Sequence, residues 1–297
     1  MHHTLLQTFA YATSQKRLLT LEEIYRYQIG TQYTLQELPS QIAKIPQIKT
    51  QYGLYGLIDC FDELLILRQE KGRESIRRYR QITKYGRLLI SIPYIRGIFL
   101  AGSSSFSTGN TKKRSDIDIF IITKNKHLWI ARFLITSITQ ILGIRRSGEM
   151  EENRFCLNHY ITENNLKRSD HNIYSAQLYA DYIAIGANSQ QLLDKFWQDN
   201  MWTRELFPQA KARQYPIFNH LQAYTIKTWL ENILTKFSIH IWNRVARWGQ
   251  MQKIKSNSIQ SNNNNRIQVN DTELEFHPEP NSIKVEQAMK QILQQIG

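Results

Sequence analysis

Residues 95–123 read IRGIFLAGSSSFSTGNTKKRSDIDIFIIT: two apolar strands joined by a polar stretch. Ile98-Phe99-Leu100-Ala101 has the character of a buried strand, and Gly102-Ser103 turns it into a polar loop or helix start. A glycine there lets the backbone approach a ligand closely, and the N–H groups of such a turn can hold phosphate. Asp116 and Asp118 then stand two apart at the head of a second apolar strand. Period-two alternation puts both carboxylates on one face, with Ile117 and Ile119 on the other. Two neighbouring carboxylates repel unless a cation sits between them. Hard oxygen ligands of this kind suit Mg2+ (or Mn2+), with a nucleoside triphosphate completing its shell.

Either half of this pattern is weak evidence by itself. A Gly-Ser turn is common, and Asp-x-Asp can be a solvated strand end. Together, each at the end of an apolar strand and separated by a dozen polar residues, they are far less expected by chance. Ala101-Gly102-Ser103 followed by Asp116-Ile117-Asp118-Ile119, with Ser115 before the first aspartate and Gly109 in the spacer, resembles the DNA polymerase β-like nucleotidyltransferase superfamily. The shape of the whole chain is similar to bacterial nucleotidyltransferase-domain proteins with an amino-terminal winged-helix-like region.

The resemblance implies an α+β fold: a nucleotidyltransferase core with a small mixed sheet and flanking helices, an N-terminal winged-helix-like domain, and C-terminal helices. It implies transfer of a nucleoside monophosphate from an NTP to an acceptor left open as a nucleic acid, a protein or a small molecule, with release of pyrophosphate. Gly102, Ser103 and Ser115 would bind the nucleotide, and Asp116 and Asp118 would be the catalytic metal ligands. A third carboxylate is expected on the next core strand, but the candidate strand, Phe155 to Thr162, has no Asp or Glu. Asn158 is its best positional match, and an amide is no base near neutral pH. Three readings stay open. The third carboxylate comes from elsewhere (Glu149, Glu151, Glu152, Glu163 or Asp170), two carboxylates suffice, or a degenerate site binds nucleotide or nucleic acid without turnover. His159, next to Asn158 on an alternating strand, reads as structural.

Patterning divides the chain into 1–60 (winged-helix-like), 61–94 (a basic helical connector), 95–188 (the core), 189–250 (helical), 251–270 (a disordered linker containing SNSIQSNNNN) and 271–297 (a strand and an amphipathic helix that docks back). In the first unit, Thr20-Leu-Glu-Glu23 and Thr34-Leu-Gln-Glu37 are capping boxes opening helices. The glycines of Tyr52-Gly-Leu-Tyr-Gly-Leu-Ile58 fit a hairpin. The core should run strand 95–101, strand 116–123, helix 126–142, strand 155–162 and helix 173–185.

The 297 residues carry a formal charge of +13. Arg68, Lys71, Arg73, Arg77, Arg78, Arg80, Lys84 and Arg87 concentrate cations on a stretch that offers a nucleic-acid contact across 68–87. A solvated helix face is the plainer reading of the same run. Lys112, Lys113 and Arg114 flank the expected phosphate site or form a solvated loop. Arg132, on an apolar helix, needs a partner: a phosphate, Asp116/Asp118, or a structural carboxylate. Cys60 and Cys156 sit among apolar residues, as reduced thiols do, and no secretory signal or transmembrane segment is evident. A cytoplasmic location is expected. The amphipathic stretch Trp229 to Trp248 suits an ordinary packing helix first, and otherwise a membrane surface or a partner.

Overall fold

A computed structural model describes residues 2–30, 32–102, 116–147, 152–169, 171–210, 222–236, 239–258, 266–277 and 281–296. Ser103, Gly109, Lys112, Lys113, Arg114, Ser115, Glu149, Glu151 and Asp170 lie outside them. The chain is mixed α+β. Its elements are α1 (His2–Ser14), β1 (Leu19–Thr20), α2 (Leu21–Tyr27), α3 (Leu38–Ile42), β2 (Ile48–Gln51), β3 (Leu54–Leu57), α4 (Phe61–Ile90), β4 (Ile95–Leu100), β5 (Ile117–Thr123), α5 (Leu128–Ile141), β6 (Phe155–Thr162), α6 (Ile173–Asp181), β7 (Ile183–Ala187), α7 (Gln190–Asp199), α8 (Thr203–Leu206), α9 (Ile226–Lys236), α10 (Ile239–Ser258), β8 (Arg266–Val269), β9 (Glu273–His277) and α11 (Asn281–Ile296).

The first unit forms as its capping signals dictate. Glu23 N–H donates to Thr20 Oγ1 (3.2 Å) while Thr20 N–H donates to Glu23 Oε2 (2.8 Å). The same reciprocal pair joins Thr34 and Glu37 (2.9 and 3.3 Å) ahead of α3. β2 and β3 form a hairpin whose two turn residues, Tyr52 (φ 54°) and Gly53 (φ 70°), both have positive φ, as a tight hairpin turn needs. β1 pairs with β3, giving a three-stranded sheet in the order β1-β3-β2.

The main sheet has the order β7-β4-β5-β6-β9-β8 among the described residues. β5 is antiparallel to β4 and parallel to β6. Alternation along β5 feeds two cores. Ile117, Ile119 and Ile121 enter one with Trp129 and Ile135 of α5. Phe120 and Ile122 enter the other with residues of α6 and α7, and with Tyr11 of α1. Each of these isoleucines is essentially inaccessible, and such burial is worth about 1.5–3 kcal/mol per side chain.

Two features differ from expectation, while the tail forms the expected strand and docked helix. The helix expected over 173–185 stops at Asp181, and Ile183–Ala187 is a strand. Ile183 and Ile185 are buried alternately, and the free edge of β4 supplies the ladder. Helix α10 runs to Ser258 and β8 starts at Arg266, both inside the segment expected to be a disordered linker, 251–270; residues 259–265 lie outside the described set. Met251 and Ile254 prolong α10 because they pack on the first core. β9 joins the main sheet beside β6, so the tail completes the core, and α11 then packs on the first unit through Ile292 and Ile296.

β9 is held by charge as well as by its ladder. Arg168 donates to Glu273, whose Oε1 also lies 3.3 Å from His159 Nε2, all in the interior. Burial pushes the Glu273 carboxyl up, but hydrogen bonds from His159 and Arg168 and the Arg168 charge outweigh it. They hold the carboxyl at about 2, against an ordinary 4.5. A carboxyl depressed in this way stabilises the fold fully above pH 4.5, and that contribution, about 3 kcal/mol, is lost as pH falls from 4.5 towards 2. Urea unfolding followed across this range should show the loss. In Glu273→Gln, which leaves Arg168 buried without its anion, stability at pH 7 should drop by about 3–5 kcal/mol and the acid transition should flatten.

Candidate active site

The two aspartates come together as alternation requires. Asp116 precedes β5 and Asp118 lies within it, and both are partly exposed at the strand's N-terminal end. Ala101 N–H donates to the carbonyl of Asp118 (2.9 Å), which fixes the end of β4 against this point. Gly102 follows with φ 58°, in the left-handed region. A Cβ built on it would lie 2.9 Å from Cγ of Asp118 and closer still to Oδ2. Only glycine leaves the Asp118 carboxylate where it stands.

On the other side of β5, the register sets Asp118 opposite Cys156 of β6. Ligand atoms of Asp116, Asp118 and Cys156 all lie within 4.8 Å of one another. Cys156 therefore faces the aspartates where a third carboxylate was sought, two residues before Asn158. Burial pushes its thiol far up, and the charges of Asp118 and Asp116 push it further. It stays protonated and is neither a base nor a hard-metal ligand. Asn158 is half-buried, at an irregularity where the register steps from Asp118/Cys156 to Phe120/His159. This bulge breaks simple alternation. His159 lies edge-to-face with Phe120 (ring centroids 4.8 Å apart) and near Glu273, in the interior.

Cations surround the aspartates. Arg146 Nη1 donates to Asp116 Oδ2 (2.7 Å) and lies 3.7 Å from Cys156 Sγ. Arg78 of α4 is buried, and its guanidinium pKa is lowered by desolvation, opposed by Glu74, Asp116, Asp118 and Glu152. The connector helix thus contributes a side chain to the electrostatics of the site, which the sequence pattern did not show. Of the other carboxylates considered, Glu152 acts on the same Arg78. Glu163 sits past the far end of β6, where it accepts from Asn125 N–H (3.1 Å) and lies 3.8 Å from Arg96.

The basic run on α4 is divided. Lys71 is buried with Nζ on the carbonyl of Lys16 (3.1 Å), and Arg68 reaches Leu18 and Glu23. Arg73, Arg77, Arg80, Lys84 and Arg87 face outward, Arg77 pairs with Glu74 (2.8 Å), and Arg87 lies 4.2 Å over the Tyr224 ring. Arg132 contacts neither aspartate. It donates to Gln250 and lies over the rings of Tyr160 and Phe276 (5.8 and 5.0 Å). Cation–π contact takes the place of the carboxylate or phosphate expected for it.

The second acidic group, His159, Glu273 and Glu275, already holds the buried guanidinium of Arg168 and serves the sheet edge. No family model, curated protein or solved structure matches the chain.

Gly102→Ala tests the close approach at Asp118. The variant should shift the Asp118 carboxylate and weaken divalent-cation binding by about tenfold, while the melting temperature falls by only a few degrees, the order expected for strain at one positive-φ residue. Titration calorimetry with Mg2+ or Mn2+ and a thermal melt read the two effects separately.

Proposed function

We propose that the chain binds a nucleoside triphosphate with a divalent cation at Asp116 and Asp118 and acts as a nucleotidyltransferase. In the reaction, an acceptor oxygen bonds to the α-phosphorus, the bond from that phosphorus to the β-phosphate oxygen breaks, and pyrophosphate leaves. The observation that carries this reading is the Gly102–Asp118 contact: a left-handed glycine packed against one of two carboxylates at a strand end. The pair offers the hard oxygen donors that Mg2+ or Mn2+ takes, and Cys156, a protonated thiol, adds none. The cation, when bound, would neutralise charge on the phosphate and acceptor oxygens.

The chain's own residues would do the rest. Asp116 and Asp118 hold the cation-bearing phosphates in place. Gly102, with Ser103 and Ser115, lets backbone and hydroxyl groups approach them. Arg146, whose side chain is 40% exposed, is able to leave Asp116 for a phosphate oxygen. Arg78 keeps positive charge behind the carboxylates. The order of the N-terminal elements, with its tight hairpin, supports a winged-helix-like reading of residues 1–60.

Three observations favour a second reading. Cys156 stands across from Asp118, no residue of β6 is a carboxylate, and Arg146 already occupies Asp116. A site so composed binds nucleotide without turnover, because nothing on β6 takes the acceptor's proton.

Each NTP should be incubated with the chain and Mg2+, following binding by calorimetry and pyrophosphate release by a coupled assay. Binding should disappear with EDTA. Asp116→Asn and Asp118→Asn should each lower pyrophosphate release by about a hundredfold or more with the fold retained. Full activity in both variants would sink the assignment. Binding without release in the native chain, with release gained in Cys156→Asp, would establish the second reading.

A further inference from the structure

Helix α10 is seated on α5 by one side only. Asn243 Oδ1 accepts from Ile130 N–H (3.0 Å), Gln250 Nε2 donates to the carbonyl of Trp129 (2.9 Å), and Ala246, Met251 and Ile254 pack on the core. At 100° per residue, Ile241, Val245 and Trp248 fall on the opposite side, flanked by Trp242. Helix α9, seated on the same core through Leu234, adds Ile226 and Trp229. All six are more than half exposed. Single exposed apolar residues are ordinary, but four on one side of α10, with two more exposed on the helix before it, have the character of an interaction surface.

The charges select the occupant. α10 contains no Asp or Glu, and its Arg244 and Lys255 are exposed, as is Lys236 at the end of α9. The one carboxylate of α9, Glu231, is held by Arg96 at 2.9 Å. A second copy of the chain would bring these cations against each other with no helical acid to pair them. A nucleic acid would use the cations and the indole planes, but not Ile226, Ile241 and Val245. An anionic bilayer surface uses all three kinds of group: aliphatic side chains enter the acyl boundary, indoles lie at headgroup level, and Lys and Arg meet lipid phosphates. No described helix is long and apolar enough to cross a membrane, so the contact is with the surface. We propose that the outer face of α10 docks on an anionic lipid bilayer.

The full chain, treated with nuclease, is spun with vesicles of phosphatidylcholine mixed with phosphatidylserine, and with vesicles of phosphatidylcholine alone. It should sediment with the mixed vesicles, far less with the neutral ones, and less again as salt is raised. The double variant Val245→Ser/Trp248→Ser and the double variant Arg244→Gln/Lys255→Gln should each weaken that binding by about tenfold. Their circular dichroism should be unchanged, because these side chains point away from the core. Absence of sedimentation with mixed vesicles overturns the proposal. So does a native dimer, seen by light scattering, that Val245→Ser/Trp248→Ser makes monomeric without changing vesicle binding. Oligonucleotide binding lost in the same variants, with vesicles left unbound, also overturns it.

Discussion

Strand β5 is paired on both sides, antiparallel to β4 and parallel to β6, and its side chains are divided between two cores. This double commitment fixes register. A slip by one residue would send Ile117, Ile119 and Ile121 to the wrong face and turn the Asp118 side chain with them. The carboxylates hold their positions because the rest of the strand cannot move. Gly102 adds the last constraint, since its missing side chain is the space in which the Asp118 carboxylate lies. Stability and site geometry are thus set by the same few residues.

The sheet is closed by parts distant in sequence. β9 covers the β6 edge and brings Glu273 to Arg168 and His159, while α11 returns to α1. Tyr27 of α2 donates to the buried Asp181 at the end of α6, and Arg26 donates to the carbonyl of Ala180 (2.7 Å). The N-terminal unit is therefore clamped to the core rather than tethered to it. Pairings of such sequence separation have a large loop-closure cost and form late. An exposed β6 edge would otherwise be a template for association with other chains.

The local signals were the legible ones. The capping boxes at Thr20 and Thr34, the hairpin about Gly53, and the apolar runs of β4, β5 and β6 each act over a few residues, and each formed where the sequence put it. What escaped was set by tertiary contact. Ile183–Ala187 has the composition of either a helix or a strand, and only the open edge of β4 makes it a strand. The bulge at Asn158 depends on how β6 accommodates Phe120 beside His159, which no one-strand pattern contains. Arg78 was legible as charge but not as direction: the run on α4 looked like one basic face, yet its i, i+3, i+4 geometry turns Lys71, Ser75 and Arg78 inward. Cys156 was taken for an ordinary core thiol because its distance from Asp118 is a matter of strand pairing.

The charge balance at the aspartates is the feature that most shapes their chemistry. Unit charges 4 Å apart near a protein surface interact by about 4 kcal/mol, so an arginine on Asp116 is a serious competitor for a cation. A divalent ion would gain about twice as much from the same carboxylates, but it would shed water to do so, and a displaced guanidinium would lose its partner. The exposure of Arg146 softens that loss, since water can receive the freed guanidinium. A phosphate does so better, because it offers the guanidinium two acceptor oxygens in fixed geometry. On the proposed reading the two ligands would assist one another: with a cation held by Asp116 and Asp118, the nucleotide phosphates would give Arg146 a new partner. Arg78 is buried on α4 and has no such freedom, so its charge stays with the carboxylates throughout. On that reading, a site built this way would favour the metal–nucleotide pair over either component alone, whether or not turnover follows.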